Sequence, residues 1–265
     1  MDTRRYALIT GASSGIGAAI AREYAARGKP TVLVARRADR LEALAAELSA
    51  HAPSVALAAD LSDPAAPLHL FETLRDRGLA VDTLVNNAGY GVPGRYLSAD
   101  WRVHADFLQV MQTAVAELTW RFLPAMEAFG HGRILNVASL AGLAPSSAGH
   151  TLYGANKAWL IRFSEALGLE MRGKGVHVTA LCPGFTFSEF HDVNGMREKV
   201  SRLPKYLWLD AQAVARIGVD AVEAGRLRVV TGTPNRIIAA LSKYLPDGLA
   251  RALVAGRSRD FRDDG

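Results

Sequence analysis

The sequence predicts an α/β protein built on one doubly wound parallel sheet, with helices on both faces. Three observations predict it. Short apolar runs of strand length alternate with amphipathic helical stretches from residue 6 to residue 231. The first of these runs stops in a glycine-rich turn that opens a helix. No linker, repeat or low-complexity break interrupts the alternation, so one domain is expected.

The elements follow in order. Tyr6–Thr10 reads as a strand that ends in Gly11-Ala12-Ser13-Ser14-Gly15-Ile16-Gly17. A helix then runs from Ile16 to Ala26, with Ile20 and Tyr24 on one face and Gly28 as its stop. Such a turn lets backbone N–H groups approach a pyrophosphate at the positive end of the helix. Its spacing is G-x-x-x-G-x-G, not the G-x-G-x-x-G of the general dinucleotide fingerprint. The strand Thr31–Ala35 leads to Arg36 and Arg37, with no acid before Asp39. An acid here would bind the ribose 2′-hydroxyl of NAD, whereas arginine accommodates the 2′-phosphate of NADP. Read otherwise, both arginines merely begin the helix Ala38–Ala50; the NADP reading is preferred.

Ser54–Ala59 is a third strand ending in Asp60-Leu61, followed by a helix over Pro64–Arg77. Thr83–Val85 is a fourth, ending in Asn86-Asn87-Ala88-Gly89, and one long helix is expected from Asp100 to Phe129. Arg133–Ala138 is a fifth strand, and a helix containing Tyr153 reaches to about Gly173. Val176–Cys182, capped by Pro183-Gly184, is the sixth. Residues 185–209 break the rhythm with Phe187, Phe190, Met196, Trp208 and other apolar residues among charges, as a lid beyond a strand's carboxyl end would. Asp210 reads as the N-cap of a helix over Ala211–Ala224, and Arg228–Thr231 is the last strand. Residues 1–233 are thus expected to form the domain. Residues 234–265, with Ile237, Ile238, Leu241 and Leu245 at helical spacing, form an extension packed on the body or on another subunit.

Composition narrows the function. The 265 residues are 49% hydrophobic, enough for a sizeable core, and no run is long enough for a membrane span. The first residues enter a strand directly, leaving no room for a signal sequence, so a cytoplasmic protein is expected. The single cysteine, Cys182, excludes an internal disulfide and a cysteine-based metal site, and it reads as a buried inert thiol. The net charge of +5 is spread in mixed-sign stretches, which points to a solvated surface and not to a nucleic-acid partner.

The chemistry centres on residues 136–157. Tyr153 and Lys157 stand at i and i+4, on one helix face. A free phenol, with a pKa of about 10, is a poor proton donor and acceptor at neutral pH. A fixed ammonium nearby favours the phenolate and is expected to bring that value down. Ser139, at the carboxyl end of its strand, can hold a substrate oxygen beside the phenol.

Together these residues resemble the short-chain dehydrogenase/reductase family, over about residues 5–232. Thr10–Gly17 is similar to its cofactor motif, Asn86–Gly89 to the motif after its fourth strand, and Pro183-Gly184 to the one after its sixth. Ser139, Tyr153 and Lys157 match its catalytic residues. The resemblance implies a Rossmann-type fold, an NAD(P)-dependent oxidoreductase and a homodimer or homotetramer. It makes Tyr153 the general acid and Lys157 the group that tunes it and holds the nicotinamide ribose. Ser139 would orient the carbonyl. Gly11, Ser13, Ser14, Gly15, Ile16, Gly17, Asp60, Leu61, Asn87, Ala88, Gly89, Pro183, Gly184 and Ser188 would then line the cofactor.

Two departures stand out. Ser139 and Tyr153 are one residue further apart than the family pattern, which suggests an extra loop residue near His150. The family's catalytic asparagine, which supports a water in a proton relay to the lysine, is replaced by Met111, and no asparagine lies between Asn87 and Asn136. A thioether supports such a water poorly. The sequence therefore predicts an NADPH-dependent carbonyl reductase or alcohol dehydrogenase acting on a hydrophobic substrate. Met111 motivates the alternative, an NADP(H)-binding protein with little turnover.

Overall fold

The structure, a computed structural model, describes residues 4–145, 148–149, 151–187 and 208–244. Seven parallel strands form one sheet in the order β3-β2-β1-β4-β5-β6-β7. They are β1 (Arg5–Thr10), β2 (Thr31–Ala35), β3 (Ser54–Ala58), β4 (Ala80–Asn86), β5 (Gly132–Val137), β6 (Val176–Cys182) and β7 (Arg228–Val230). The helices are α1 (Gly15–Ala26), α2 (Ala38–Leu48), α3 (Ala66–Asp76), α4 (Trp101–Leu108), α5 (Ala114–Phe129), α6 (Thr151–Glu170), α7 (Ala211–Glu223) and α8 (Thr233–Tyr244). The expected doubly wound sheet is the one observed.

Both faces of the sheet are covered, which is why its strands read as largely apolar runs and not as alternating ones. Ala7 and Ile9 of β1 point into a cluster roofed by α1, α2 and α7. Tyr6 and Leu8, one residue out of phase, point into the opposite cluster with Leu70, Leu74, Phe107, Leu118 and Phe122 from α3, α4 and α5. Asp210 caps α7 as expected, its carboxylate accepting from the backbone N–H of Gln212 and Ala213 at 3.0 and 3.3 Å.

The long helix expected over 100–129 is interrupted. Between α4 and α5, Gln109–Thr113 form a π turn. Apolar spacing does not reveal the one inserted residue of an under-wound turn, and π turns concentrate at functional positions. The helix of residues 66–76 also starts later than expected, because Asp60 and Asp63 accept backbone N–H groups in the turns that precede it.

The strand order reverses between β1 and β4, and the loops that leave these two strands diverge there. That is the crevice in which open α/β sheets bind ligands. Ser188 and most of the expected lid lie outside the described residues, as do His150 and residues 245–265. At the two ends of the expected lid segment, Phe187 N–H donates to Leu209 O at 3.0 Å and Leu209 N–H to Phe185 O at 2.9 Å.

Candidate active site

The glycine-rich turn sits at the carboxyl end of β1 and opens α1. Gly17 is fixed by contact: a Cβ there would overlap the carbonyl of Gly11 and the side-chain nitrogen of Asn87. Asn87 closes the turn from the β4 side. Its Nδ2 donates to Thr10 O at 3.0 Å and to Gly11 O at 3.2 Å. Thr10 Oγ1 in turn accepts from the N–H of Asn87 and of Ala88. Asn87 thus ties the two loops of the crevice together. No acidic side chain occupies the first turn of α1, so its positive end is left for an anion.

Arg37, half-buried, lies across this turn. Its Nη2 donates to Ser13 Oγ at 3.0 Å and Ser14 Oγ at 3.1 Å, and its Nε to Ser13 Oγ at 3.3 Å. Arg36 is exposed. Burial raises the Asp60 carboxyl, but hydrogen bonds from the N–H and hydroxyl of Ser62, with the Arg36 charge, hold it below its ordinary value. The Leu61 side chain belongs to the core, and Ile16 packs on the opposite cluster. Gly184 faces Asn235 of α8, a buried residue whose Nδ2 donates to Thr231 O at 2.8 Å.

Ser139, Tyr153 and Lys157 meet at the ends of β5 and α6. The Ser139 hydroxyl and the Tyr153 phenol share a hydrogen bond. Lys157 is 6% exposed, and its Nζ donates to Val137 O at 2.7 Å, 5.7 Å from the centre of the Tyr153 ring. Although part of the Tyr153 ring surface stays open, burial pushes the phenol up to about 12, against the pull of Ser139. Burial pushes the Lys157 ammonium down to about 8. Lys157 gives a hydrogen bond to a strand carbonyl, and the two influences that bear on the phenol are burial, which raises it, and Ser139, which lowers it. Cys182 is buried at the end of β6 as expected, and burial pushes its thiol up to about 12, away from the thiolate that would react.

Met111 lies in the π turn, 2% exposed. Its sulfur accepts from the Tyr90 N–H at 3.3 Å and stands 2.5 Å from where a Cβ on Gly89 would be. Its carbonyl accepts from Asn156 Nδ2 at 3.2 Å. Sequence reasoning missed Asn156. It also missed a buried polar chain beneath the site, in which Asn86 Nδ2 donates to Asn136 Oδ1 at 2.8 Å and Asn136 Nδ2 to Ser164 Oγ at 2.9 Å. Asparagines inside otherwise apolar strand and helix faces were the available signal.

The sequence model of the short chain dehydrogenase family matches residues 5–198. The chain belongs to the short-chain dehydrogenase family. It is 37% identical over 187 residues to sulfoacetaldehyde reductase of Chromohalobacter salexigens, covering 69% of this chain and 72% of that one. Among solved structures, a short-chain dehydrogenase from Sphingobium yanoikuyae in complex with NADPH superposes with a TM-score of 0.80. That protein is 31% identical, with 98% of this chain and 97% of the other covered. L-sorbose reductase from Gluconobacter frateurii, complexed with NADPH and L-sorbose, gives a TM-score of 0.75 at 26% identity, covering 86% and 95%. Among the described residues, no helix is long and apolar enough to cross a membrane.

Proposed function

We propose that this member of the family is an NADP(H)-dependent oxidoreductase that interconverts a carbonyl and an alcohol, with Tyr153 as general acid and base. The observation that carries this reading is the hydrogen-bonded Ser139–Tyr153 pair, with Lys157 buried one helical turn further on. Two NADPH complexes among its structural relatives support the cofactor.

The residues present fit a dinucleotide. The unopposed positive end of α1 suits a pyrophosphate, and Arg37, held over the same turn by Ser13 and Ser14, suits a 2′-phosphate. Asn87, Ala88, Gly89, Pro183 and Gly184 would line the nicotinamide half, and Asp60 and Leu61 the adenine. Bound there, the nicotinamide supplies or accepts the hydride. Ser139 orients the substrate oxygen. The Tyr153 phenol keeps its proton at neutral pH and gives it to that oxygen in the reductive direction. Lys157, charged below about pH 8, offers its remaining N–H groups to the relay that restores the proton.

A hydrophobic carbonyl fits the mouth. Phe187 stacks on Trp208 at 4.7 Å at the base of the lid, and Tyr90 packs on the core from the loop after β4. Homodimer or homotetramer assembly belongs to the same reading, supported by Trp101 and Trp120, exposed on α4 and α5. So do a cytoplasmic location and a domain of residues 1–233 with a helical extension. The low-turnover reading rests on Met111 alone. A chain freed from catalysis has no physical need to keep Ser139, Tyr153 and Lys157 together.

Tyr153→Phe tests the proposal. Turnover of ketones or aldehydes should fall by about a hundredfold or more, while NADPH affinity is kept. Unchanged turnover would overturn it.

A further inference from the structure

The π turn at Met111 is clamped from two sides. The Met111 sulfur takes the Tyr90 N–H from the β4 loop, and the Met111 carbonyl takes Asn156 Nδ2 from α6. Asn156 directly precedes Lys157 and lies three residues past Tyr153, so on α6 it stands beside Tyr153, on the side away from Lys157. It is 3% exposed. Its amide oxygen is buried and meets no hydrogen-bond donor among the described residues. A buried amide oxygen left unpaired costs about 1–3 kcal/mol, so its retention in this face calls for a partner. A water held by two or more polar groups is the ordinary partner for such an oxygen.

We propose that Asn156 is a positioning residue of the proton relay. Its amide nitrogen holds the π turn at Met111, and its amide oxygen holds, through a water, the Lys157 end of the relay. The polar group missing from position 111 is thus supplied by α6. This account rests on the carbonyl-reduction reading of the same site. It requires no new reactant: the proton passes from solvent through the water and Lys157 to the phenolate oxygen left when Tyr153 has given up its proton.

Asn156→Leu, close in volume and without hydrogen-bonding groups, tests it. For any carbonyl that the wild type reduces, kcat should fall about tenfold, with KM and the NADPH dissociation constant within about twofold. The solvent isotope effect on kcat should rise. Adding Met111→Asn should return most of the loss in this background and change little in the wild type. A second readout needs no substrate. The ultraviolet titration of the Tyr153 phenolate, taken as the difference from Tyr153→Phe, should move up by about half a pH unit or more in Asn156→Leu. Of the groups that face these two side chains, Ser139 at the end of β5 lowers the phenol against its burial, and Cys182 at the end of β6 bears on Lys157. Wild-type turnover and titration in Asn156→Leu would overturn the proposal. Asn156→Val, smaller and likewise without hydrogen-bonding groups, serves if the leucine variant does not fold, and wild-type behaviour there counts against the proposal equally. If the wild type reduces no carbonyl, the functional reading fails, and the phenolate titration still decides the role of Asn156.

Discussion

Replacing Arg37 by Ala should separate NADPH from NADH. The guanidinium is already oriented over the glycine turn by bonds of 3.0–3.3 Å to Ser13 and Ser14, so it loses little freedom on meeting a phosphate. A hydrogen bond to a charged group contributes about 1.5–3 kcal/mol, which corresponds to a loss of about 10- to 150-fold in NADPH affinity. Arg37 is only half-buried, so the lower half of that range is expected at physiological salt. NADH lacks the 2′-phosphate and should lose about twofold or less. The assay is a fluorescence titration with each cofactor, following energy transfer from tryptophan. Arg36, exposed beside Asp60, should give a smaller loss with the same sign. Equal losses for the two cofactors would refute the assignment of Arg37 to the 2′-phosphate.

Gly17→Ala should abolish binding of both cofactors, because the new methyl overlaps the Gly11 carbonyl and the Asn87 side chain that ties the turn to β4; retained NADPH binding would show that the turn adapts. Lys157→Met should abolish turnover yet raise the melting temperature. The ordinary lysine pKa of 10.5 falls to about 8 on folding, so below pH 8 the folded state carries a buried charge at a penalty of about 3 kcal/mol. Between about pH 8 and 10.5 the unfolded chain binds a proton that the folded one does not, so stability rises with pH across that window. Loss of the bond to Val137 O offsets part of the gain, leaving about 1 kcal/mol, or roughly 2–4 °C at neutral pH. The variant should also lose the rise above pH 8, and a lower melting temperature at pH 7 would contradict the account.

The sheet was legible because both of its faces are covered, so runs such as Tyr6–Ile9 and Val32–Val34 are apolar throughout. The glycine turn, Asn87, Ser139, Tyr153 and Lys157 were legible as motifs, and the fold brings them to one end of the sheet. The direction of Lys157 was not. Spacing shows which face a side chain occupies but not which carbonyl competes for its proton, here that of Val137. The π turn escaped because Gln109–Thr113 holds no proline or glycine to mark a break in the helical stretch. Asn156 escaped for a related reason: its partner is a backbone carbonyl 45 residues away, exposed only by that turn.

The most direct test of the central claim is to supply NADPH deuterated at its transferable position with a panel of apolar ketones and aldehydes, and to analyse the products by mass spectrometry. The account predicts alcohols that carry deuterium on the former carbonyl carbon, formed by the wild type and not by Tyr153→Phe. A protein that binds NADPH, reduces none of the panel and returns the cofactor unchanged would contradict it.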